Sequence, residues 1–283
     1  VGRGRAARDK AAGVLVVALP ALLFIIVFTL LLALTRELFG AIAWAVASAI
    51  IFKVTFAIRA LETHTAPMVD DLRKGDLDAA RQKVSMVVSR DVKKLDRPHI
   101  ISCAAETVSE NLVDSVLSPM FYFGLAGVPG AVLLRAVNTA DGMVGYLSEE
   151  HRNVGWFAAR ADDVMHYFVA RLSVPFIMLS LALMGKDWRG GWRAAKRDHG
   201  QTSSPNKGWP MAAVAGGLGV RFEKQGHYSM GEGNVSDDPM VIMDTIRVMK
   251  LTSVLFFLLV LLPLFTLLGI QVQLSLEDWL LGL

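Results

Sequence analysis

Three long hydrophobic segments stand out in the pattern of apolar and polar positions along the chain. Residues 11–34 contain 24 consecutive positions without a charge. As a helix this segment would extend about 36 Å, more than the roughly 30 Å hydrocarbon core of a bilayer. Residues 38–58 form a second segment, interrupted only by Lys53, and residues 251–270 form a third that contains Pro263. All three are predicted to be transmembrane helices.

Three further apolar segments are shorter or interrupted. Residues 116–134 contain two prolines and three glycines, whereas residues 172–185 and 209–220 are too short to span a bilayer. Each is either a helix of the protein core or a re-entrant segment buried in protein. For residues 116–134 we favour re-entry, since it leaves the polar regions on one side of the membrane. The predicted fold class is an all-α integral membrane protein with about three clear transmembrane helices, two or three short or re-entrant apolar segments and helical cytoplasmic regions.

The basic residues indicate the orientation. Four of the first ten residues are Arg or Lys, nine more lie in residues 59–114, and ten lie in residues 186–250. The connection at residues 35–37 has one, and the chain after residue 270 has none. By the positive-inside rule, the N-terminal end and the polar regions 59–115 and 186–250 are cytoplasmic. We expect a multi-pass protein of the plasma (inner) membrane, built as a single membrane-embedded domain over residues 1–283, with residues 116–185 as its core.

Composition narrows the function classes. The chain is 53% hydrophobic and 19% charged, which is a poor fit to a soluble enzyme or a disordered protein. Its net charge of +3 is too small to favour nucleic acid as a partner. The single cysteine, Cys103, excludes an intrachain disulfide framework and a zinc site built from cysteines.

An acidic helix face precedes the interrupted apolar segment. Glu106, Glu110 and Asp114 are spaced four residues apart and therefore share one face of a helix. No Lys or Arg lies three or four residues from any of them, and Asn111 lies beside them. A solvated acidic stripe is one interpretation. The other is a site for a hard cation such as Mg²⁺, which prefers carboxylate and amide oxygens.

A second polar cluster follows between residues 138 and 163. Asn138 and Asp141 are three residues apart and share a helix face. Arg152, Arg160 and the pair Asp162–Asp163 come next. Ordinary surface ion pairs would explain this pattern, but arginines among acids beside membrane segments also suit a phosphorylated, metal-bound substrate.

A rigid loop, residues 203–210, is the third candidate. Two prolines and a glycine restrict its backbone. Ser204, Asn206 and Lys207 offer donors for a phosphate or a carboxamide, and Trp209 opens a segment of small residues that permits close helix packing. A loop without a binding role is the alternative.

Several motifs in this order resemble one known family. The segment Glu106-Thr-Val-Ser-Glu-Asn-Leu-Val-Asp114 is followed by Ser118-Pro-Met-Phe-Tyr122, Arg135-Ala-Val-Asn-Thr139, Asp141-Gly-Met-Val-Gly-Tyr146, Asp162-Asp163 and Ser204-Pro-Asn206. From about Leu61 to Val220 the chain is similar to the CobD/CbiB family of adenosylcobinamide-phosphate synthases. One departure is His166, which follows the Asp162–Asp163 pair where the family pattern has an asparagine.

The resemblance implies an enzyme of cobalamin biosynthesis. The family reaction is an ATP- and Mg²⁺-dependent amide ligation of adenosylcobyric acid with (R)-1-aminopropan-2-ol or its O-phosphate. The expected partners are these substrates, the lipid bilayer, and a second copy of the chain or other membrane-bound enzymes of the corrinoid pathway. Predicted catalytic residues are Glu110, Asp141, Asp162 and Asp163. Predicted substrate-binding residues are Asn138, Arg152, Arg160, Ser204, Asn206, Lys207 and Trp209. Predicted metal ligands are Glu106, Glu110, Asn111 and Asp114.

Two other function classes are compatible with the residues alone. A small-solute transporter also has broken apolar segments and buried charge, although no repeated half is visible here. A membrane scaffold that binds corrinoids without turning them over is the second alternative.

Overall fold

The computed structural model describes residues 2–88, 90–145 and 153–282, and it is predominantly helical. The helices are α1 (Gly2–Thr55), α2 (Ile58–Thr65), α3 (Met68–Lys74), α4 (Leu77–Ser85), α5 (Arg97–Leu112), α6 (Ser118–Val144), α7 (Trp156–Leu183), α8 (Trp188–Asp198), α9 (Gly208–Leu218), α10 (Met240–Phe256), α11 (Leu262–Leu264) and α12 (Ile270–Leu281). A 3₁₀ turn covers His199–Gln201, and π-helical turns cover Val113–Leu117, Phe257–Leu261 and Phe265–Gly269.

Four helical stretches in the described part of the chain are long and apolar enough to cross a membrane. They are Arg8–Lys74, Arg97–Val144, Trp156–Leu183 and Met240–Leu281. The prediction of an all-α multi-pass membrane protein is therefore confirmed. The short apolar segment 172–185 is largely the second half of the 28-residue helix α7.

One β-hairpin interrupts the helices. Strands β1 (Arg221–Lys224) and β2 (Tyr228–Gly231) pair antiparallel, with Arg221 opposite Gly231 and Lys224 opposite Tyr228. Gly226 supplies the positive φ angle of +74° that the turn requires. The sequence analysis did not predict this hairpin.

Contacts divide the chain into two compact units. The first consists of Val1–Phe56, Ser118–His166 and Phe257–Leu283, and the second consists of Ala57–Leu117 and Tyr167–Phe256.

In the first unit, α1 is two helical halves joined at Gly40. This residue has φ 80° and ψ 178°, which is not helical. Val16 and Val54 line the same cavity, although a straight helix would separate them by about 57 Å. The two halves therefore fold back beside each other. The break at Gly40 lies just inside the predicted span 38–58, whereas residues 35–37, the predicted connection, are helical.

Helix α6 is also broken, in the middle of the interrupted apolar segment. Ala126 and Gly127 leave the helical conformation, and Gly127 has φ +63°. The freed backbone N–H of Val128 donates to Oε1 of Gln273 in α12 at 2.9 Å, and Gln273 is fully buried. A Cβ at position 127 would collide with the Gln273 side chain. Gln273 thus replaces the missing helical carbonyl, while re-entry of this segment stays a prediction.

Replacing Gln273 by Leu is expected to destabilise the protein by about 1–3 kcal/mol, because Val128 then keeps a buried N–H without an acceptor. The variant also loses the donation from Gln273 Nε2 to Glu277 at 3.1 Å. The measurement is the thermal unfolding midpoint in detergent. Gln82, exposed on α4, provides the matched control Gln82→Leu. An equal midpoint for both variants would show that the break needs no cap.

In the second unit, α5 is a core helix with a defined start. The Asp96 side chain accepts a hydrogen bond from the His99 backbone N–H at 3.1 Å, and Pro98 lies in the first turn. An aspartate cap and a proline in the first turn are both typical of a helix start. The helix ends at Leu112, before the π-helical turn, where the Ser115 carbonyl accepts from the Ala57 N–H at 3.0 Å.

Helices α8 and α9 of the second unit approach each other closely through small residues. A Cβ at Gly216 would collide with Ala194 and the Gly190 carbonyl, and one at Gly217 would collide with Leu181. Helix α9 is almost entirely buried. Residues 209–220 are therefore a buried helix, and whether this helix re-enters the membrane stays a prediction.

Candidate functional site

A polar cavity of about 240 Å³ lies in the second unit. It is enclosed by α5, the segment that precedes it, the loop before α9 and the β-hairpin. The lining residues are Val87, Val88, Arg90, Glu106, Thr107, Glu110, Asn111, Lys207, Lys224 and Tyr228. Four of the ten are residues predicted from the sequence, and they come from two of the three candidate motifs.

Glu106 is buried at the base of this cavity, with 4% of its side chain exposed. Ser102 Oγ donates to Oε1 at 2.5 Å. Arg90 and the Tyr228 hydroxyl donate to Oε2 at 3.1 and 2.7 Å. Three donors therefore already surround the carboxylate, including one guanidinium.

The two larger donors keep their protons at physiological pH. Burial tends to lower the pKa of Arg90, but the negative charge of Glu106 and the contact with Cys103 outweigh burial and raise it. Burial raises the pKa of Tyr228 far above its ordinary value of 10.0, and the adjacent Glu106 charge raises it further. Arg90 therefore stays cationic and Tyr228 stays a neutral donor.

Glu110 lies one helical turn further along α5 and is more accessible. Its Oε1 lies 2.5 Å from Lys207 Nζ, and the two side chains are 29% and 41% exposed. Asn111 beside it donates to the Thr107 carbonyl at 3.0 Å and accepts from Ser115 Oγ at 2.9 Å. Glu110 and Lys207 thus form an ion pair within reach of a solute in the cavity.

This geometry does not fit a metal ion on Glu106, because donors rather than open lone pairs face the cavity. Among the described residues, no group of three His, Cys, Asp or Glu side chains is placed to hold a metal. Asp114 lies in the π-helical turn and does not line the cavity with Glu106 and Glu110. Metal binding by Glu110, Asn111 and Asp114 stays a prediction.

The loop before α9 is ordered by Arg171 and two aromatic rings. The Arg171 guanidinium lies 3.3 Å from the Tyr167 ring centre and 5.4 Å from that of Trp209. It donates to Oδ1 of the buried Asn206 at 3.4 Å. Trp209 stacks on His199, with the ring centres 3.8 Å apart. Asn206 and Trp209 therefore help to hold this loop in place, and Lys207 lines the cavity. Ser204 Oγ accepts a hydrogen bond from the Asn206 N–H at 3.3 Å. Substrate binding by Ser204, Asn206 and Trp209 stays a prediction.

The remaining described candidates lie in the first unit. Asn138 Nδ2 donates to Asp162 Oδ1 at 3.2 Å, and the same oxygen lies 3.2 Å from His166 Nε2. His166 is buried, and its Nδ1 lies 2.7 Å from Ser118 Oγ. The structure thus brings Asn138 and Asp162 together, with His166 as an unpredicted third member.

The other predicted residues of the polar cluster between residues 138 and 163 differ in their exposure. Arg160 is exposed on α7, and Asp141 and Asp163 are partly buried. Their catalytic and substrate-binding roles stay predictions. Arg152 lies outside the described residues.

Four polar residues of the cavity were not predicted from the sequence: Arg90, Thr107, Lys224 and Tyr228. Arg90 precedes α5 and belongs to none of the three candidate motifs. The signal for Lys224 and Tyr228 is the alternation of polar and apolar positions around Gly226, which indicates a hairpin. Together with Lys207, the cations of the lining outnumber the carboxylates by one, so the cavity favours an anionic ligand.

Asp198 anchors the hairpin that carries Tyr228. Its carboxylate accepts two hydrogen bonds from Arg197, both at 2.8 Å, and one from the Gly231 N–H at 2.9 Å. Burial tends to raise the pKa of Asp198, but these donors outweigh burial and lower the pKa below its ordinary value of 3.8.

Because the pKa of Asp198 is lowered in the folded state, its stabilisation is present above about pH 4 and is lost as pH falls further. We expect Asp198→Asn to lower stability by about 1 kcal/mol at neutral pH and to flatten the acid limb of the stability curve. Unfolding midpoints in detergent between pH 3 and 7 measure this. Asp78→Asn is the control, since Asp78 is 93% exposed. Superimposable curves for Asp198→Asn and the parent chain would contradict the anchoring role.

Comparison with known proteins identifies the family. The sequence model described as CobD/Cbib protein matches residues 2–263. The probable cobalamin biosynthesis protein CobD of Methanothermobacter thermautotrophicus is 43% identical over 211 residues, which cover 75% of this chain and 71% of that protein. The probable CobD of Thermoplasma volcanium is 33% identical over 239 residues, covering 84% and 78%.

A third relative, the cobalamin biosynthesis protein CobD of Dehalococcoides mccartyi, is 42% identical over 193 residues, which cover 68% of this chain but only 62% of that protein. No solved structure matches the chain significantly. The family match over most of the chain, together with these relatives, shows that the chain belongs to the CobD/Cbib protein family.

Proposed function

We propose that the chain acts in cobalamin biosynthesis as a membrane-bound amide ligase. It joins the propionate carboxylate of adenosylcobyric acid to the amine of (R)-1-aminopropan-2-ol or its O-phosphate, with ATP and Mg²⁺. The observation that carries the proposal is the Glu110–Lys207 pair in a cationic cavity of a CobD/Cbib family member. The curated relatives are named for cobalamin biosynthesis.

Amide ligation requires a group that accepts the proton of the amine and cations that bind the anionic groups of the substrates. A carboxylate becomes reactive toward an amine after conversion to an acyl phosphate, and the amine must lose its proton before it attacks. Glu110 is the accessible carboxylate of the cavity and accepts that proton. Lys207, Lys224 and Arg90 are the cations that attract phosphoryl or carboxylate oxygens.

Lys207 connects proton acceptance by Glu110 with the binding of an anion. Its Nζ lies 2.5 Å from Glu110, the proposed proton acceptor, and the same ammonium can bind an anionic group of the substrate. An incoming anion draws Lys207 away from Glu110, and this frees the carboxylate. In this proposal Mg²⁺ is bound to the nucleotide co-substrate, since Glu106 does not fit a resident metal ion.

We further propose that the protein lies in the plasma membrane and that its polar cavity faces the cytoplasm. The distribution of Lys and Arg supports this orientation. ATP and the corrinoid substrate would then reach the cavity from the same side.

The test is direct synthesis. The chain, purified in detergent, is incubated with adenosylcobyric acid, (R)-1-aminopropan-2-ol O-phosphate and MgATP, and the amide is sought by mass spectrometry. Product that depends on both ATP and Mg²⁺ supports the ligase. Corrinoid binding without product would favour the scaffold, and corrinoid-independent solute flux into vesicles would favour a transporter.

A further inference from the structure

A second cavity, of about 530 Å³, lies in the first unit and has a different character. It is a groove between the two halves of α1 and the C-terminal half of α6. Its walls are mostly apolar, with Phe24, Phe28 and Val132 among them. Val54 and Met143 are 71% and 70% exposed. A volume of this size is within the range of small-molecule sites.

Charge distinguishes this groove from an ordinary gap between helices. Of the described residues that line it, Arg135 is the sole ionisable one, and none is acidic. Arg135 donates to the neutral amide oxygen of Asn138 at 3.4 Å. The hydroxyls of Thr55 and Thr139 are the other polar groups of the lining. A guanidinium on an apolar wall is typical of a site for an anion.

The position of Arg135 indicates which anion. Arg135 directly follows the apolar segment 116–134. Whether such a segment spans the bilayer or re-enters it, its end is expected at the membrane interface. In the same unit, Lys10 Nζ lies 4.9 Å from the Trp156 ring centre. Lys and Trp side chains are common anchors at the level of lipid head groups. The groove therefore combines apolar walls with a cation at the end of an apolar segment, where lipid head groups are expected.

We propose that this groove binds a glycerophospholipid with an anionic head group. One acyl chain lies against the apolar walls, and the head-group phosphate and its negative charge are held by Arg135 and Thr139. Charge complementarity and the position at the interface support a lipid over a free phosphate, which would leave the apolar walls uncovered. The proposal does not depend on the ligase function.

Native mass spectrometry of the delipidated full chain tests the proposal. The chain in neutral detergent is given phosphatidylglycerol or phosphatidylcholine with identical acyl chains. We expect at least fivefold preference for phosphatidylglycerol, as one arginine near a membrane surface provides. Arg135→Gln should remove the preference, Arg135→Lys should keep most of it, and Arg59→Gln, at an exposed arginine of the second unit, should leave it unchanged.

A second variant tests the contribution of the apolar walls separately from the charge of Arg135. Ala136→Trp fills the groove without changing charge and should lower occupancy by both lipids. Circular dichroism verifies that each variant is folded. Equal binding of the two lipids to the parent chain, or an unchanged preference in folded Arg135→Gln, would overturn the proposal. Loss of ligation in Arg135→Gln with lipid preference intact would assign Arg135 to the substrate instead.

Discussion

Replacing Glu110 by Gln is expected to lower turnover by about 10²- to 10⁴-fold, the usual contribution of a general base. Gln keeps the size of Glu but cannot accept a proton and no longer pairs with Lys207. Because both side chains are partly exposed, the stability cost should stay below about 1 kcal/mol. The measurement is the rate of amide formation, with circular dichroism and thermal midpoint as checks on folding.

The chain contains a closely matched control for this variant. Glu62 pairs with Lys250 at 2.6 Å, and the two side chains are 34% and 46% exposed. The change Glu62→Gln therefore removes the same charge from a similar ion pair outside the cavity. It should leave turnover within twofold of the parent. An unchanged kcat for Glu110→Gln would remove Glu110 from the mechanism, whereas failure of the parent chain to form product would instead refute the ligase.

Replacing Glu106 by Leu is expected to cost about 3–5 kcal/mol of stability, the range found when one partner of a buried ion pair is removed. Arg90 is 18% exposed and would keep its charge without a counterion. The hydroxyls of Ser102 and Tyr228 would also lose their acceptor. The unfolding midpoint in detergent and the yield of folded protein measure this loss.

A double variant tests whether the unpaired charge of Arg90 causes the loss of stability in Glu106→Leu. Arg90→Met combined with Glu106→Leu removes both charges and should recover most of the stability lost in Glu106→Leu, because an apolar pair of similar volume can replace a buried ion pair. Glu62→Leu serves as the surface control. A double variant no more stable than Glu106→Leu would show that packing, not the unpaired charge of Arg90, causes the loss.

These two predictions assign different roles to carboxylates that look alike in the sequence. Glu106 and Glu110 are four residues apart on one helix face. The structure surrounds Glu106 with donors and leaves Glu110 open to the cavity. The predicted metal site includes both residues as ligands, since their spacing alone contains no information about the side chains that other elements place beside each of them.

The acidic face also lacked basic neighbours in the sequence because its partners are distant along the chain. Arg90 is 16 residues from Glu106, and Tyr228 is 122 residues away. Lys207 belongs to the loop before α9, which follows α5 by almost a hundred residues. Helical spacing predicts contacts within one helix, whereas these pairs depend on how the chain folds back.

Local signals in the sequence determined the membrane class and the family. The three long apolar segments are typical of helices that span a bilayer. Helix caps such as Asp76 and Asp96 are also local, since each acts within one turn. Only the tertiary structure showed that Gln273 caps the break in α6 and that a hairpin places Tyr228 beside Glu106. It also showed that Glu106 is surrounded by donors, whereas Glu110 lies open to the cavity. The physical reason is range. The hydropathy of a segment and helix capping depend on residues close together in the sequence, whereas the ion pairs and hydrogen bonds of the site join elements that only the folded backbone brings together.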